Sequence, residues 1–357
     1  LSFSLLAVTV RKLAMSNNGS LMRAEIAQIP SIFQKIADNA AATTAQIQKL
    51  PLDSFDSVIL LARGTSDNAA LYLKYLIETK IGIPCGLASP SVVTVYQTKL
   101  KFKNCLVIAL SQSGQSPDLI NYAQAAKIGG AKVLALTNDV NSPLAKSADL
   151  HIYLEAGEEK AVAATKSYSA ELLLSLLVVS AWAKSEVDFA ALVRESNSAV
   201  ENIDSVSKIV DSFDHSFGIT TLGRGFAYAN AHETALKIQE TLKIPVSSFS
   251  SADYLHGPIS SLHENSRVIF LAPAGVATSG MAATVTRIRE ITPHIYWIGS
   301  GFDLTSGEIS LGGASLPETL AVIADSIVLQ QFAMLLALKN GLNPDAPIGL
   351  LKVTKTK

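Results

Sequence analysis

Between an apolar run and a proline lie six polar residues, Ser111-Gln112-Ser113-Gly114-Gln115-Ser116, offering three hydroxyls, two carboxamides and a glycine. The preceding run Leu106–Leu110 reads as a strand buried on both faces, because its apolar pattern is continuous rather than alternating. Ser116-Pro117-Asp118 reads as N-cap, first helical residue and first turn of a helix. Such a turn lies beyond the C-terminal end of a parallel strand, where free N–H groups and the helix dipole favour an anion. Gly114 lets the backbone turn tightly. Three small hydroxyls without a P-loop lysine suit a monophosphate better than a nucleoside triphosphate. For any single serine, a polar strand–helix turn with a serine cap would look the same.

An internal repeat supplies a control. Arg63-Gly64 matches Arg224-Gly225, Ile83-Pro84 matches Ile244-Pro245, and Val107–Leu110 matches Val268–Leu271, all at an offset of 161 residues. Three matches at one offset argue duplication. The segment opposite Ser111–Ser116 is Ala272-Pro273-Ala274-Gly275-Val276-Ala277, which keeps the glycine and loses every hydroxyl. The topology therefore does not demand the hydroxyls, and a ligand is the better reason for them.

Other residues could join the turn. Gly64-Thr65-Ser66 follows the apolar strand Ser57–Ala62 and would line the same crevice, although Ser66 alone also reads as a helix cap. Lys237 and Glu240 stand three apart and share a helix face; spacing alone would also describe a surface ion pair. His256-Gly257-Pro258 could be a plain turn, and Lys352 lies in a basic tail with Lys355 and Lys357 that composition would call frayed.

Helices alternate with strands. Helices are expected over 67–80, 117–128 and 167–184, with strands at Val133–Leu136 and Asp149–Leu154. In the second unit strands fall at Gly218–Leu222, Val268–Leu271 and Ile295–Ile298. Residues 23–49 lead as one or two helices, and 325–340 close as another. This order predicts an α/β fold of two tandem units, each a parallel sheet between helix layers. The expected divisions are an N-terminal extension with helices at 1–50, a first unit at 51–200 with the phosphate turn, a second at 201–345, and a tail at 346–357.

The 357 residues are 48% hydrophobic and 17% charged, enough to fill a large core, and the net charge of −1 argues against a nucleic-acid or anionic-membrane binder. The six histidines lack zinc-ligand spacing. Cys85 and Cys105 read as buried thiols of a reducing compartment, which points to the cytoplasm. In residues 1–14, Arg11 and Lys12 follow the apolar stretch, the reverse of a secretory signal. That order reads as an extended gene start, with Met15 or Met22 as the natural first residue.

The motifs Ala62–Ser66, Ile83-Pro84-Cys85, Ser111–Ser116, Val162-Ala163-Ala164-Thr165-Lys166, Ala235–Glu240, His256-Gly257-Pro258 and the tail around Lys352 occur in an order that resembles the SIS (sugar isomerase) domain family. The likeness is nearest to the isomerase half of glutamine:fructose-6-phosphate amidotransferase and to SIS-type glucosamine-6-phosphate deaminases. It implies two tandem SIS domains, a hexose or hexosamine 6-phosphate substrate, no metal or other cofactor, and a homodimer with shared active sites. It implies phosphate binding by Ser111, Gln112, Ser113 and Ser116 with Gly64, Thr65 and Ser66. It further implies a proton shuttle at Glu240, ring opening by His256 of a neighbouring subunit, and Lys352 at the sugar's reactive end. Lys237, Val162 and Ala163 would line the site.

Two features depart from that pattern. No glutaminase segment with an N-terminal Cys fits before residue 51, so the expectation is deamination of glucosamine 6-phosphate to fructose 6-phosphate and ammonia, not glutamine-dependent synthesis. After Asp345-Ala346-Pro347 the chain continues Ile348-Gly349-Leu350-Leu351, where the family commonly has polar residues. Galactosamine-6-phosphate deaminase, fructosamine-6-phosphate deglycase and a non-catalytic sugar-phosphate-binding regulator are the alternatives.

Overall fold

The computed structural model describes residues 17–352. The apolar stretch 1–14, Met15, Lys355 and Lys357 lie outside the described residues. Two helices lead, α1 (Ser20–Ala27) and α2 (Ile29–Ile47). The first sheet unit then runs β1 (Ser57–Leu61), α3 (Thr65–Leu76), β2 (Cys85–Leu87), β3 (Cys105–Ser111), α4 (Pro117–Ile128), β4 (Lys132–Thr137), β5 (Leu150–Tyr153) and α5 (Lys166–Ala183). After α6 (Phe189–Glu201) and α7 (Ile203–Ser212) comes the second: β6 (Ile219–Gly223), α8 (Ala227–Leu242), β7 (Val246–Ser250), β8 (Arg267–Leu271), α9 (Ala282–Arg289), β9 (Ile295–Ile298), β10 (Ile309–Gly312) and α10 (Glu318–Lys339).

Each sheet has five parallel strands. The first is ordered β2-β1-β3-β4-β5 and the second β7-β6-β8-β9-β10, so the strand orders correspond one to one. The duplication read from three sequence matches is thus repeated in topology. In both sheets the chain leaves the first strand towards one edge and the third strand towards the other. The crevices between β1 and β3, and between β6 and β8, are therefore topological switch points, where such sheets receive ligands.

One contiguous apolar core joins the two halves. Helices α5 and α10 are apolar all round because they run through it, and nearly all their residues are buried. Polar pairs fix the register there: Tyr168 to Asn230 (2.9 Å), Ser169 to Ser326 (2.7 Å) and Tyr72 to the Thr319 carbonyl (2.9 Å). Helix α10 is long and apolar enough to cross a membrane, with mean hydropathy 1.8, but its apolar window is wholly covered by protein. Its Asp325 accepts from the Ala314 N–H (2.8 Å), and burial pushes that carboxyl up to about 7.

Three expectations need correction. The closing helix starts at Glu318 rather than 325, because the apolar period continues upstream to Leu320. Edge strands β7 and β10 went unread, since Val246-Ser247-Ser248-Phe249-Ser250 and Ile309-Ser310-Leu311-Gly312 are too short and polar to stand out. Ser66 is no cap; Gly64 holds that place at φ 59°, a left-handed angle that favours glycine. Both cysteines are buried, and burial pushes the Cys85 thiol up to about 12.

The carboxylate of Asp345 ties the two ends of the described chain together. It accepts from the Leu21 (3.1 Å) and Met22 (2.8 Å) N–H groups, while the Asp345 carbonyl accepts from Val162 (2.9 Å). Helix α1 has no side-chain cap of its own, so this distant aspartate does that work. Replacing Asp345 by Ala strands these amides, and denaturant titration should register a loss of about 1–2 kcal/mol.

Candidate active site

A cleft of about 360 Å³ opens at the switch point of the first sheet. One wall is the turn after β1, contributing Gly64, Thr65 and Ser66, and the floor is the turn after β3, contributing Ser111, Gln112, Ser113 and Ser116. Opposite stand Glu159 and Val162 from the segment before α5, Glu240 from α8, and Lys352 from the tail. Residues more than 100 apart in sequence, from both sheet units, thus build one site. A larger groove of about 600 Å³, between residues 48–54 and 181–184, holds none of the residues singled out from sequence.

The turn after β3 is shaped by its own hydroxyls. Ser111 Oγ accepts from the Gly114 N–H (3.1 Å) and Ser113 Oγ from the Gln115 N–H (3.3 Å). Gly114 sits at φ 59°, and a Cβ there would come 2.3 Å from Ser142 Oγ, so no other residue fits unstrained. Ser116 holds the N-cap position of α4, yet its hydroxyl makes no cap bond and is buried without a partner. An unpaired buried hydroxyl is costly unless something else satisfies it. The cap explanation therefore fails for Ser116.

The second switch point already holds a carboxyl group of its own, which burial pushes up. The Glu318 carboxylate accepts from the Val276 N–H (3.1 Å), in the turn that matches Ser111–Ser116. A Cβ on Gly275 would lie 2.3 Å from Glu318 Oε2, so the glycine leaves room for the carboxylate.

The turn after β1 behaves differently from expectation. Thr65 and Ser66 line the cleft, but their hydroxyls bond to buried carboxylates, Glu233 (3.2 Å) and Glu171 (2.8 Å). What this turn offers an anion directly is the pair of amides opening α3, which no intrahelical carbonyl satisfies.

Lys237 and Glu240 are joined by a short hydrogen bond, and Lys237 is fully buried rather than a surface partner. The ammonium also faces Glu233 at 3.4 Å. Burial alone would lower Lys237, but Glu233 and Glu240 together raise it, so it stays charged. Burial pushes Glu233 up, against the pull of Lys237 and the hydrogen bonds of Asn68 and Thr65. The two directions agree: one ammonium cannot neutralise two carboxylates, and the deeper one favours its acid form.

Lys352 is held, not frayed. Its Nζ lies 2.7 Å from Glu159 Oε2. Glu159 is fully enclosed and also accepts from the Thr165 N–H (3.0 Å), the Ser167 N–H (3.0 Å) and the Ser167 hydroxyl (2.8 Å). Burial pushes this carboxyl up, but the Lys352 charge and these bonds prevail and hold it below the ordinary range. Ala163 is buried beside the cleft and does not line it, and His256 is exposed, outside the cleft of its own chain.

Sequence reasoning missed Glu159, Glu171 and Glu233. Glu233 was visible as the i−4 partner of Lys237. Glu171 is the only charged residue between Ser167 and Ala183, a helix too apolar to have a wet face. Nothing local marks Glu159, whose partner is 193 residues away.

Residues 52–181 match the sequence profile of the SIS domain. The isomerizing glutamine–fructose-6-phosphate aminotransferase of Pyrococcus horikoshii is 29% identical over 310 residues, which is 84% of this chain and 52% of that protein. The chain spans about half the length of the curated relatives it matches. A crystal structure from Silicibacter pomeroyi, assigned as a phosphosugar isomerase, is 30% identical with a TM-score of 0.81 over 91% of this chain and 99% of its own. Glucosamine-6-phosphate deaminase of Thermotoga maritima shares the fold, at 20% identity and a TM-score of 0.70 over 91% and 99% of the two chains. With its two parallel sheets, the chain belongs to the SIS-domain family of phosphosugar isomerases.

Replacing Lys352 by Met leaves Glu159 buried without its cation. The variant should lose roughly 3 kcal/mol at neutral pH. In the native protein the folded pKa of Glu159 is depressed, so its contribution is present above the unfolded value near 4.5 and fades as pH falls through the lower folded value. Urea titrations between pH 3 and 7 should show that slope in the native chain and a flatter one in the variant.

Proposed function

We propose that this chain is an amino-sugar-phosphate isomerase that deaminates glucosamine 6-phosphate to fructose 6-phosphate and ammonia. The observation that carries the reading is the shared cleft: an anion-binding turn with an unsatisfied Ser116 hydroxyl faces a carboxylate, Glu240, backed by a buried ammonium. The self-bound Glu318 carboxylate on the twin turn supports it, since the duplicated fold accepts an oxyanion at that place.

The phosphate docks on Ser111, Gln112, Ser113 and Ser116 and on the first amides of α3, which fixes the sugar's other end near Glu240 and Lys352. In the open-chain aldehyde, Glu240 takes the proton from C2 as the C1 oxygen gains one, then returns a proton to C1. The product carries an imine at C2. Water adds there, the C–N bond breaks and ammonia leaves, so atoms and charge balance without a redox partner. Lys237 holds Glu240 in place through their hydrogen bond, and Lys352 stands by the reacting oxygen. Val162 shapes the wall. His256 would open the ring of a neighbouring subunit's substrate, which makes a homodimer the working unit. In this reading the second sheet is a second SIS domain, and the units divide near 51–200 and 201–345.

Glu240→Gln should lower ammonia release from glucosamine 6-phosphate about 10³-fold, with sugar-phosphate binding retained. Full turnover in that variant would overturn the shuttle role. Ser116→Ala should weaken binding of fructose 6-phosphate about tenfold by calorimetry, the loss of one charge-assisted hydrogen bond. A parallel panel with galactosamine 6-phosphate and fructosamine 6-phosphates identifies the preferred amino sugar.

A further inference from the structure

The carboxyl of Glu171 has no task in the reaction above. It projects from α5 to the first turn of α3, with Oε1 at 2.8 Å from Ser66 Oγ and Oε2 buried without a partner. The ionisable groups facing it are Glu159 from the segment before α5, Glu233 from α8 and the Tyr168 hydroxyl of its own helix, none of them a cation. The two nearby ammoniums are engaged elsewhere, Lys237 with Glu233 and Glu240, and Lys352 with Glu159.

We infer that Glu171 is a positioning residue that sets the direction of the Ser66 hydroxyl and so makes affinity for the substrate's phosphate depend on one proton. The inference rests on the phosphate reading of the cleft. With Glu171 ionised, Ser66 donates its hydrogen to Oε1 and turns a lone pair towards the cleft, beside an uncompensated negative charge. With Glu171 neutral, the acid proton is donated to Ser66 Oγ, and the Ser66 hydrogen is released to point at the phosphate. Burial pushes Glu171 up to about 8, aided by Glu159 and Glu233 and opposed by Ser66. The neutral form therefore prevails at pH 7, and a bound dianion favours it further by linkage. The sign follows: affinity is full below pH 8 and declines as pH rises through it.

Sorbitol 6-phosphate is the suitable probe, because it has no amine, cannot cyclise and is fully dianionic above pH 7. Calorimetry on the native chain should show Kd rising about tenfold from pH 7 to pH 9. Glu171→Gln, whose amide donates permanently to Ser66, should bind as the native chain does at pH 7 and remain flat to pH 9. Ser66→Ala should bind more weakly than native at pH 7 and show a shallower rise in Kd to pH 9, from the Glu171 charge alone. Parallel rises in the native chain and Glu171→Gln, or no rise in the native chain, overturn the inference while leaving the phosphate site standing. Absence of binding at every pH, with Ser116→Ala indistinguishable from native, sinks the phosphate reading and this inference with it.

Discussion

Around one small cleft the fold buries more carboxyl groups than ammoniums, and that imbalance governs the rest. Glu159, Glu171, Glu233 and Glu240 converge there, against the ammoniums of Lys237 and Lys352. A bare carboxylate in a protein interior costs several kcal/mol, so each must find a cation, a set of N–H donors or a proton. Glu159 takes a cation and two amides, Glu240 takes Lys237, and Glu233 and Glu171 are left leaning towards their acid forms. This constraint reaches far along the chain. The tail must fold back because Glu159 needs Lys352, and α8 must cross to the first sheet because its acids complete the hydrogen bonds of α3.

Legibility in sequence followed locality. The strand–turn–helix at Cys105–Ile128 was readable almost to the residue, since a continuous apolar run, a glycine, a serine and a proline each act within a few positions. The helix over 117–128 and the strand at 295–298 came out as read. The edge strands β7 and β10 did not, because their half-exposed faces are coded by neighbours rather than by period. In the site the residue types were legible, but their partners were not. The hydroxyls of Thr65 and Ser66 read as ligand donors, and each is hydrogen-bonded to an acid, 168 and 105 residues away. Long-range burial of charge leaves no periodic trace. The local hints were a lone glutamate in a helix with no wet face and the Glu233–Lys237 spacing of four.

The core carries a similar lesson about context. Helix α10 has the length and hydropathy of a bilayer span, yet it is the shared spine of two sheets, and so is α5. A helix wrapped on all sides by protein needs the same side chains as one wrapped by lipid. What separates them here is Asp325, Ser326 and Gln330 within α10, each hydrogen-bonded to a named partner from another element or turn.

The turn occupied by Glu318 shows what becomes of a duplicated binding place once its guest is part of the chain. A tethered carboxylate competes as an intramolecular partner, at an effective concentration set by the chain and not by the solution. Its grip owes nothing to the supply of any solute. On the proposed reading, the N-terminal half gains stability from the sugar phosphate around it by mass action, and the C-terminal half holds a constant reserve. One copy of the ancestral unit would then track the cell's carbohydrate supply, while its sibling serves as a permanently loaded anvil against which the first can close.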